Sequence, residues 1–554
     1  MMNRFKNTPL LPWLARVGAL LALTGATEGQ ILEDLKLLAP DGTSGDEFGS
    51  SIATANGVVA TGAPTAAGLA AAAGAVYLFD AHSGAQQAKL VASDGASSDR
   101  FGFSLSVSGN VLVVGAPGDD DLGAGSGSAY LFDAITGAQL VKLLPNDGSP
   151  GDEFGFDVAI DGGVVAVGAK RDDDNGQDSG SLYLFDASTG IQLRKLLPND
   201  GATNDNFGEA VDLDGDLVVV GAHGDADNGP LSGSAYLFDV PTGLQLAKLL
   251  PLDGGTNDFF GSAVALKDGV VAVGAWADSV VFDHSGSAYL FDASSAQQQA
   301  KLVPSDAYDR DNFGFSLDLN GGVLVVGAKG NDDNGFQSGS AYLFDASDGA
   351  ELTKILASDG AALDKFGHSV AIGAGIVAVG APRDDDNGAE SGSAYVLDTG
   401  DEVGTRLCFG DGSGLTCPCG NIGGEGRGCA NSAGPGALLF ATGSASIATD
   451  DLALLAQHSA PSTPGQFFQG AVPVSAGQGA IFGDGLRCAA GQVQRLQLVF
   501  ASGQGEASSS TSVVAAGGPL PGQTRYYQWW YRDLGGPCGS GFNLSNAVRI
   551  SWTP

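Results

Sequence analysis

The residues of this chain best equipped for chemistry are its aspartates, and they return at fixed intervals. One set stands at Asp41, Asp94, Asp147, Asp200, Asp253, Asp306 and Asp359, and a second at Asp46, Asp99, Asp152, Asp205, Asp258, Asp311 and Asp364. Further clusters lie at Asp119 to Asp121, Asp172 to Asp174, Asp225 and Asp227, Asp332 and Asp333, and Asp384 to Asp386, several followed by Asn-Gly. Like charges at this density repel unless neutralised, and hard divalent cations bind such clusters through carboxylate and amide oxygens. The metal candidates are therefore Asp119, Asp121, Asp147, Asp152, Asp172, Asp174, Asn175, Asp384, Asp386 and Asn387, with Ca2+ as the expected ion. The alternative is a solvated acidic face whose Asp, Asn and Gly simply make turns.

Other chemistry is sparse. The five histidines (His82, His223, His284, His368, His458) share no repeated position, residues 31–400 hold no cysteine, and neither a nucleophile elbow nor a zincin motif occurs. No catalytic residue is nominated. A binding site would break the repeat, and the residue following a recurrent Gly-Ala pair does so: Pro64, Pro117, Lys170, His223, Trp276, Lys329, Pro382. Lys170, His223, Trp276 and Lys329 come from consecutive units. With Tyr308 and Arg310 on a neighbouring loop they form the ligand-binding candidates, an aromatic and cationic patch suited to a peptide or a sugar.

These residues are positioned by one phrase, as in Asp147 to Asn199, that recurs seven times. A Phe-Gly pair returns at Phe48, Phe101, Phe154, Phe207, Phe260, Phe313 and Phe366, each 53 residues after the last. A tyrosine keeps the same step from Tyr77 to Tyr395. Such a period marks units too small to bury their own faces alone. Within a unit, short alternating apolar runs separated by Gly, Asp and Asn predict four strands: FGFDVAI, VVAVGA, SLYLFD and IQLRKLL in the third copy. The first-to-second and third-to-fourth connections are tight hairpins, and the other two are long and acidic. Those long loops share one end of the strands, so one face is ringed with carboxylates. Four antiparallel strands per unit describe a propeller blade. Ile31 to Pro40 matches a fourth strand yet precedes the first unit, whereas the last unit ends after its third strand. The N-terminal strand is expected to complete the seventh blade.

Phe-Gly followed by Gly-Ala-Pro (Gly62 to Pro64, Gly115 to Pro117, Gly380 to Pro382) resembles the FG-GAP repeat, the blade of the integrin alpha-subunit propeller. The resemblance covers about residues 31–400 and implies a seven-bladed propeller used for extracellular recognition. The calcium loop of integrin blades, D-x-D-x-D-G, is replaced here by short hairpins; Asp212 to Asp216 resembles it in part.

Residues 1–30 read as a secretory leader: Arg4, Lys6 and Arg16 precede apolar Val17 to Leu23 and a small-residue cleavage site. That core is far short of the roughly 20 residues needed to span a membrane. The expected location is secreted, extracellular or cell-surface. The formal charge of −37 sits on the propeller and disfavours nucleic acid as a partner. An extracellular protein or polysaccharide is the expected ligand; the sequence leaves the oligomeric state open.

Residues 401–554 are rich in Gly, Ala and Ser and hold all six cysteines: Cys408, Cys417, Cys419, Cys429, Cys488 and Cys538. An even count in a secreted chain predicts three disulfides whose pairing is open. Alternating runs predict a small disulfide-bonded β-sandwich. Its phrases CPCGN, FGDGLRC and YYQWWYRD resemble an uncharacterised C-terminal module of secreted bacterial proteins, especially of planctomycetes. In Tyr526 to Tyr531 the pleat places Tyr527, Trp529 and Tyr531 on one side and Tyr526 and Trp530 on the other. The expectation is an all-β, secreted, non-enzymatic recognition or adhesion protein. The rival is an extracellular hydrolase or lyase acting on polysaccharide or phosphoester at the acidic face.

Overall fold

The computed structural model describes residues 30–398, except 56, 82 and 374. Beyond them it describes 405–407, 417–418, 428–432, 434, 436–442, 447, 452–474, 480–502, 505–509, 512–520, 523–536 and 540–552. The leader lies outside these residues. The chain forms two compact units, divided between Gly400 and Asp401.

The first unit contains seven antiparallel sheets, each built from the four predicted strands. In the third they are Phe154–Asp161, Val164–Ala169, Ser181–Asp186 and Gln192–Leu196, paired in that order. The first strand of every sheet touches the first strands of both neighbours, so these strands are innermost. The series closes, because Ser369–Gly373 of the last sheet packs against Ser51–Ala55 of the first. Leu35–Leu37 completes the last sheet antiparallel to Ser393–Asp398, with Lys36 opposite Tyr395. The N-terminal segment divides its work, however. Gln30–Leu32 adds as a fifth, parallel strand to the sixth sheet, beside Glu351–Leu356, and covers that outer edge.

Seven apolar clusters lie between adjacent sheets rather than within them. The recurrent Phe of one unit sits edge-on to its own Tyr and Phe, as Phe154 does with Tyr183 and Phe185 at 5.4 and 5.8 Å. This is why the aromatic pattern never drifts. Backbones of neighbouring blades also meet directly: Gly127 bridges Phe154, and equivalent bridges recur around the ring. At φ +83°, a Cβ on Gly127 would stand 2.0 Å from the Phe154 carbonyl oxygen, so only glycine fits. Innermost strands are stapled by side chains. Asp157, Asp212 and Asp318 accept hydrogen bonds from the Val211, Leu266 and Ile372 amides of the next blade, at 2.8, 2.6 and 2.7 Å. Burial pushes Asp157 up to about 7 and Asp318 to about 6, against the pull of those amides.

The second unit is a sandwich. Thr405–Leu407, Gly541–Ser551, Thr524–Asp533, Pro464–Gly470 and Gln494–Phe500 form a five-stranded sheet in that order. A three-stranded sheet, Leu438–Thr442, Ala453–Gln457 and Ala507–Ser508, faces it. Tyr527, Trp529 and Tyr531 are fully buried in the core between them, as the pleat predicts. Cys417 and Cys429 are bonded, and Cys488 is disulfide-bonded as well. Cys408, Cys419 and Cys538 lie outside the described residues.

Candidate functional site

The long loops carry the repeated aspartates to one end of each blade, where the structure supplies a cation the metal assignment overlooked. A lysine on the fourth strand recurs at Lys36, Lys89, Lys142, Lys195, Lys248, Lys301 and Lys354. Lys195 Nζ lies 2.9 Å from Asp147, 2.9 Å from Asp172 and 2.6 Å from Asp174. The Tyr183 hydroxyl, within 3.0 Å of Asp147 and 2.7 Å of Asp172, donates its proton into the same cluster. Lys142 meets Asp94, Asp119 and Asp121 at 2.7–2.9 Å, and Lys36 meets Asp359, Asp384 and Asp386 at 2.7–3.0 Å. Burial works against the Lys195 ammonium, yet Asp174, Asp172 and Asp147 outweigh it and hold the lysine above its ordinary value. Asp147 in turn is drawn below the usual carboxylate range: burial opposes this, and Lys195 and Tyr183 prevail.

These contacts decide how the nominated residues fit calcium. Asp359, Asp384 and Asp386 are close enough to share an ion, but Lys36 Nζ stands among them. Asp119, Asp121, Asp147, Asp172 and Asp174 are engaged by lysine in the same way. Asn175 and Asn387 give their amide N–H groups to the Pro198 and Ala39 carbonyls at 3.3 and 3.0 Å. Asp152 turns inward to accept the Ser149 amide at 2.7 Å; burial, then the nearby Asp172 charge, push it up to about 6 against that amide. Calcium takes six to eight oxygens, and here it would have to expel a lysine to reach them. The residues present do not fit calcium as they stand.

The variable patch is a different kind of surface. Lys170 lies 3.4 Å over the Phe156 ring and 4.0 Å from Glu209, which also pairs with His223. His223 stacks on Phe259 at 5.5 Å and Phe259 on Trp276 at 5.0 Å, in nearly parallel planes. Trp276 meets Phe315 edge-on at 6.4 Å, Lys329 lies 3.1 Å over Phe315, and His368 is 5.1 Å from the same ring. Four nominated residues thus join one belt running across consecutive blades, beside the innermost strands. Burial, then Lys365 and Arg383, push Lys329 down to about 7. Tyr308 and Arg310 stand outside the belt: Tyr308 packs on Phe282 at 5.2 Å, and Arg310 faces Asp283 at 3.6 Å.

Phe156, Glu209, Phe259, Phe315 and His368 were not nominated, yet they connect the belt. Each flanks the invariant Phe-Gly pair, at a position that varies from copy to copy. The comparison of copies that singled out the residue after Gly-Ala would have found them there.

The FG-GAP repeat profile matches residues 32–79, 85–132, 138–185, 191–238, 244–291, 296–344 and 350–397. No curated protein matches the chain. Among solved structures, the computationally designed Ika8 protein is 16 % identical, with a TM-score of 0.39 over 66 % of this chain and 99 % of its own. So loose a superposition carries no argument.

Proposed function

The chain belongs to the FG-GAP repeat family, and on that footing we propose that it is a secreted, non-enzymatic recognition protein. Its propeller engages an extracellular protein or polysaccharide through the belt from Lys170 to His368. The observation that carries this reading is where the sevenfold symmetry holds and where it fails. The Phe-Gly pair and the tyrosine that pack blade on blade repeat in all seven units, whereas the belt positions change from blade to blade and gather aromatic and cationic groups in neighbouring ones. Partly buried rings beside polar heads suit specific, side-chain-mediated contact.

The lysines neutralise the carboxylate clusters from within, so ligand binding on this reading proceeds without calcium. The test is binding of labelled full-length protein to arrays of extracellular-matrix proteins and polysaccharides, with and without chelator. Trp276→Ala combined with Lys329→Ala is expected to abolish the strongest signals at an unchanged melting temperature, and chelator to leave them intact. Equal binding by the variant would remove the belt from the reading. Turnover of a polysaccharide or phosphoester that disappears with one pair of aspartates would favour the enzymatic alternative.

A further inference from the structure

The five-stranded sheet of the C-terminal unit has a second face, away from the sandwich core. There Trp530 and Phe542 lie 5.8 Å apart, and Phe482, on the hairpin Ala480–Phe482 with Gly485–Arg487, stands 5.3 Å from Phe542. With Gln466, Arg487 and Arg495 these rings line an open cleft of about 390 Å3. Among the described residues, no Asp or Glu lines it. Among the described residues, neither Arg487 nor Arg495 has a carboxylate within ion-pair distance. Arg487 donates its Nε–H to the Ala489 carbonyl at 3.2 Å, which leaves its terminal donors for a ligand. Its guanidinium lies 5.8 Å from the Phe482 ring, and that of Arg532 lies 5.9 Å from Trp530. The cleft therefore combines aromatic walls with planar cationic donors that no protein anion satisfies.

The volume falls in the range of small-ligand sites and is open along one side. The floor strand Pro464–Gly470 is paired on both edges, so its backbone offers an extended peptide no hydrogen bonds. Recognition is left to side chains: rings for a flat C–H face, Gln466 for hydroxyls, and guanidinium forks for a planar or tetrahedral anion. We infer that this cleft binds an anionic sugar residue of an extracellular polysaccharide. Its ring stacks on Trp530 and Phe542, and its carboxylate or sulfate is held by Arg487 and Arg495. The inference stands independently of the belt on the propeller.

Calorimetric titration of the full chain tests it, with an oligogalacturonate, a sulfated galactan oligosaccharide, a neutral galactan oligosaccharide and a peptide ending in a free carboxylate. One of the two anionic sugars is expected to bind at least about tenfold more tightly than the neutral one, and which one it is identifies the anion. Arg487→Gln and Arg495→Gln are each expected to weaken it about tenfold or more without lowering the melting temperature. Both arginines lie in the C-terminal unit and leave the belt intact, so heat lost with them belongs to this cleft, and the two sites fail separately. Equal affinity for neutral and anionic sugars, indifference to both arginine substitutions, binding of the peptide alone, or no heat with either anionic sugar would each overturn the inference.

Discussion

Replacing Lys195 by methionine removes the ammonium and keeps most of the volume. Three carboxylates lose their counter-charge, but unequally. The Asp172 side chain is 5 % exposed, whereas those of Asp147 and Asp174 are 49 % and 48 % exposed and regain water. Exposed pairs contribute about 0–1 kcal/mol each. Asp172 keeps the Tyr183 hydroxyl and the Asp174 amide, at 2.7 and 3.1 Å, but no cation. Leaving one member of a buried pair uncompensated costs about 3–5 kcal/mol, and this term dominates. The first blade supplies the control. Among the described residues its lysine, Lys89, meets a single carboxylate, Asp41, which is 56 % exposed, because Ala66 and Gly68 stand where the third blade has Asp172 and Asp174. Lys89→Met is therefore expected to cost less than about 1 kcal/mol. Thermal unfolding of both variants at pH 7 measures the difference, and calcium is then added. Wild-type protein is expected to ignore calcium and chelator, whereas Lys195→Met, with its carboxylates vacated, is expected to regain part of its melting temperature in calcium. Equal costs for the two substitutions, or a wild-type melting temperature that falls on chelation, would refute the lysine-for-calcium reasoning.

Three further outcomes follow from the same geometry. Because Asp152 is raised to about 6 in the folded state, its stabilising contribution is complete below the ordinary carboxylate value near 3.8 and is lost as pH rises through 6. Asp152→Asn is thus expected to gain on wild type between pH 4 and 7, by about 1–2 kcal/mol, read from melting temperatures across that range; a gain that shrinks with pH contradicts the sign. Gly127→Ala places a methyl against the Phe154 carbonyl at a left-handed φ and is expected to cost at least about 3 kcal/mol, measured by denaturant unfolding, whereas Gly162→Ala at an open hairpin costs roughly 1–2. Replacing Cys417 and Cys429 with serine opens a loop closed over 12 residues and is expected to cost about 3 kcal/mol in the C-terminal unit, seen as a lowered melting transition of that unit.

Much of this architecture was legible in the chain because its packing is local and repeated. A 53-residue step with fixed Phe, Gly and Tyr makes every blade meet its neighbour in the same way, so the strand order and the seventh-blade closure follow from one unit and its count. Pleat alternation likewise placed Tyr527, Trp529 and Tyr531 in the core. Charge pairing was not legible in the same way. Sequence shows that aspartates recur and where their loops gather, but Lys195 stands 48 residues from Asp147 and 23 from Asp172, and only the folded blade brings them within 3 Å. The periodic lysine carries the same 53-residue step as the tyrosine, but the step alone does not say which carboxylates it meets. The belt was half legible, through variation after Gly-Ala, and half decided by packing that turns the residues beside Phe-Gly toward them. Repetition in a sequence determines which contacts recur, because identical neighbours must satisfy one another. Which side chains neutralise which charges depends on distances across strands, and those exist only once the chain has folded.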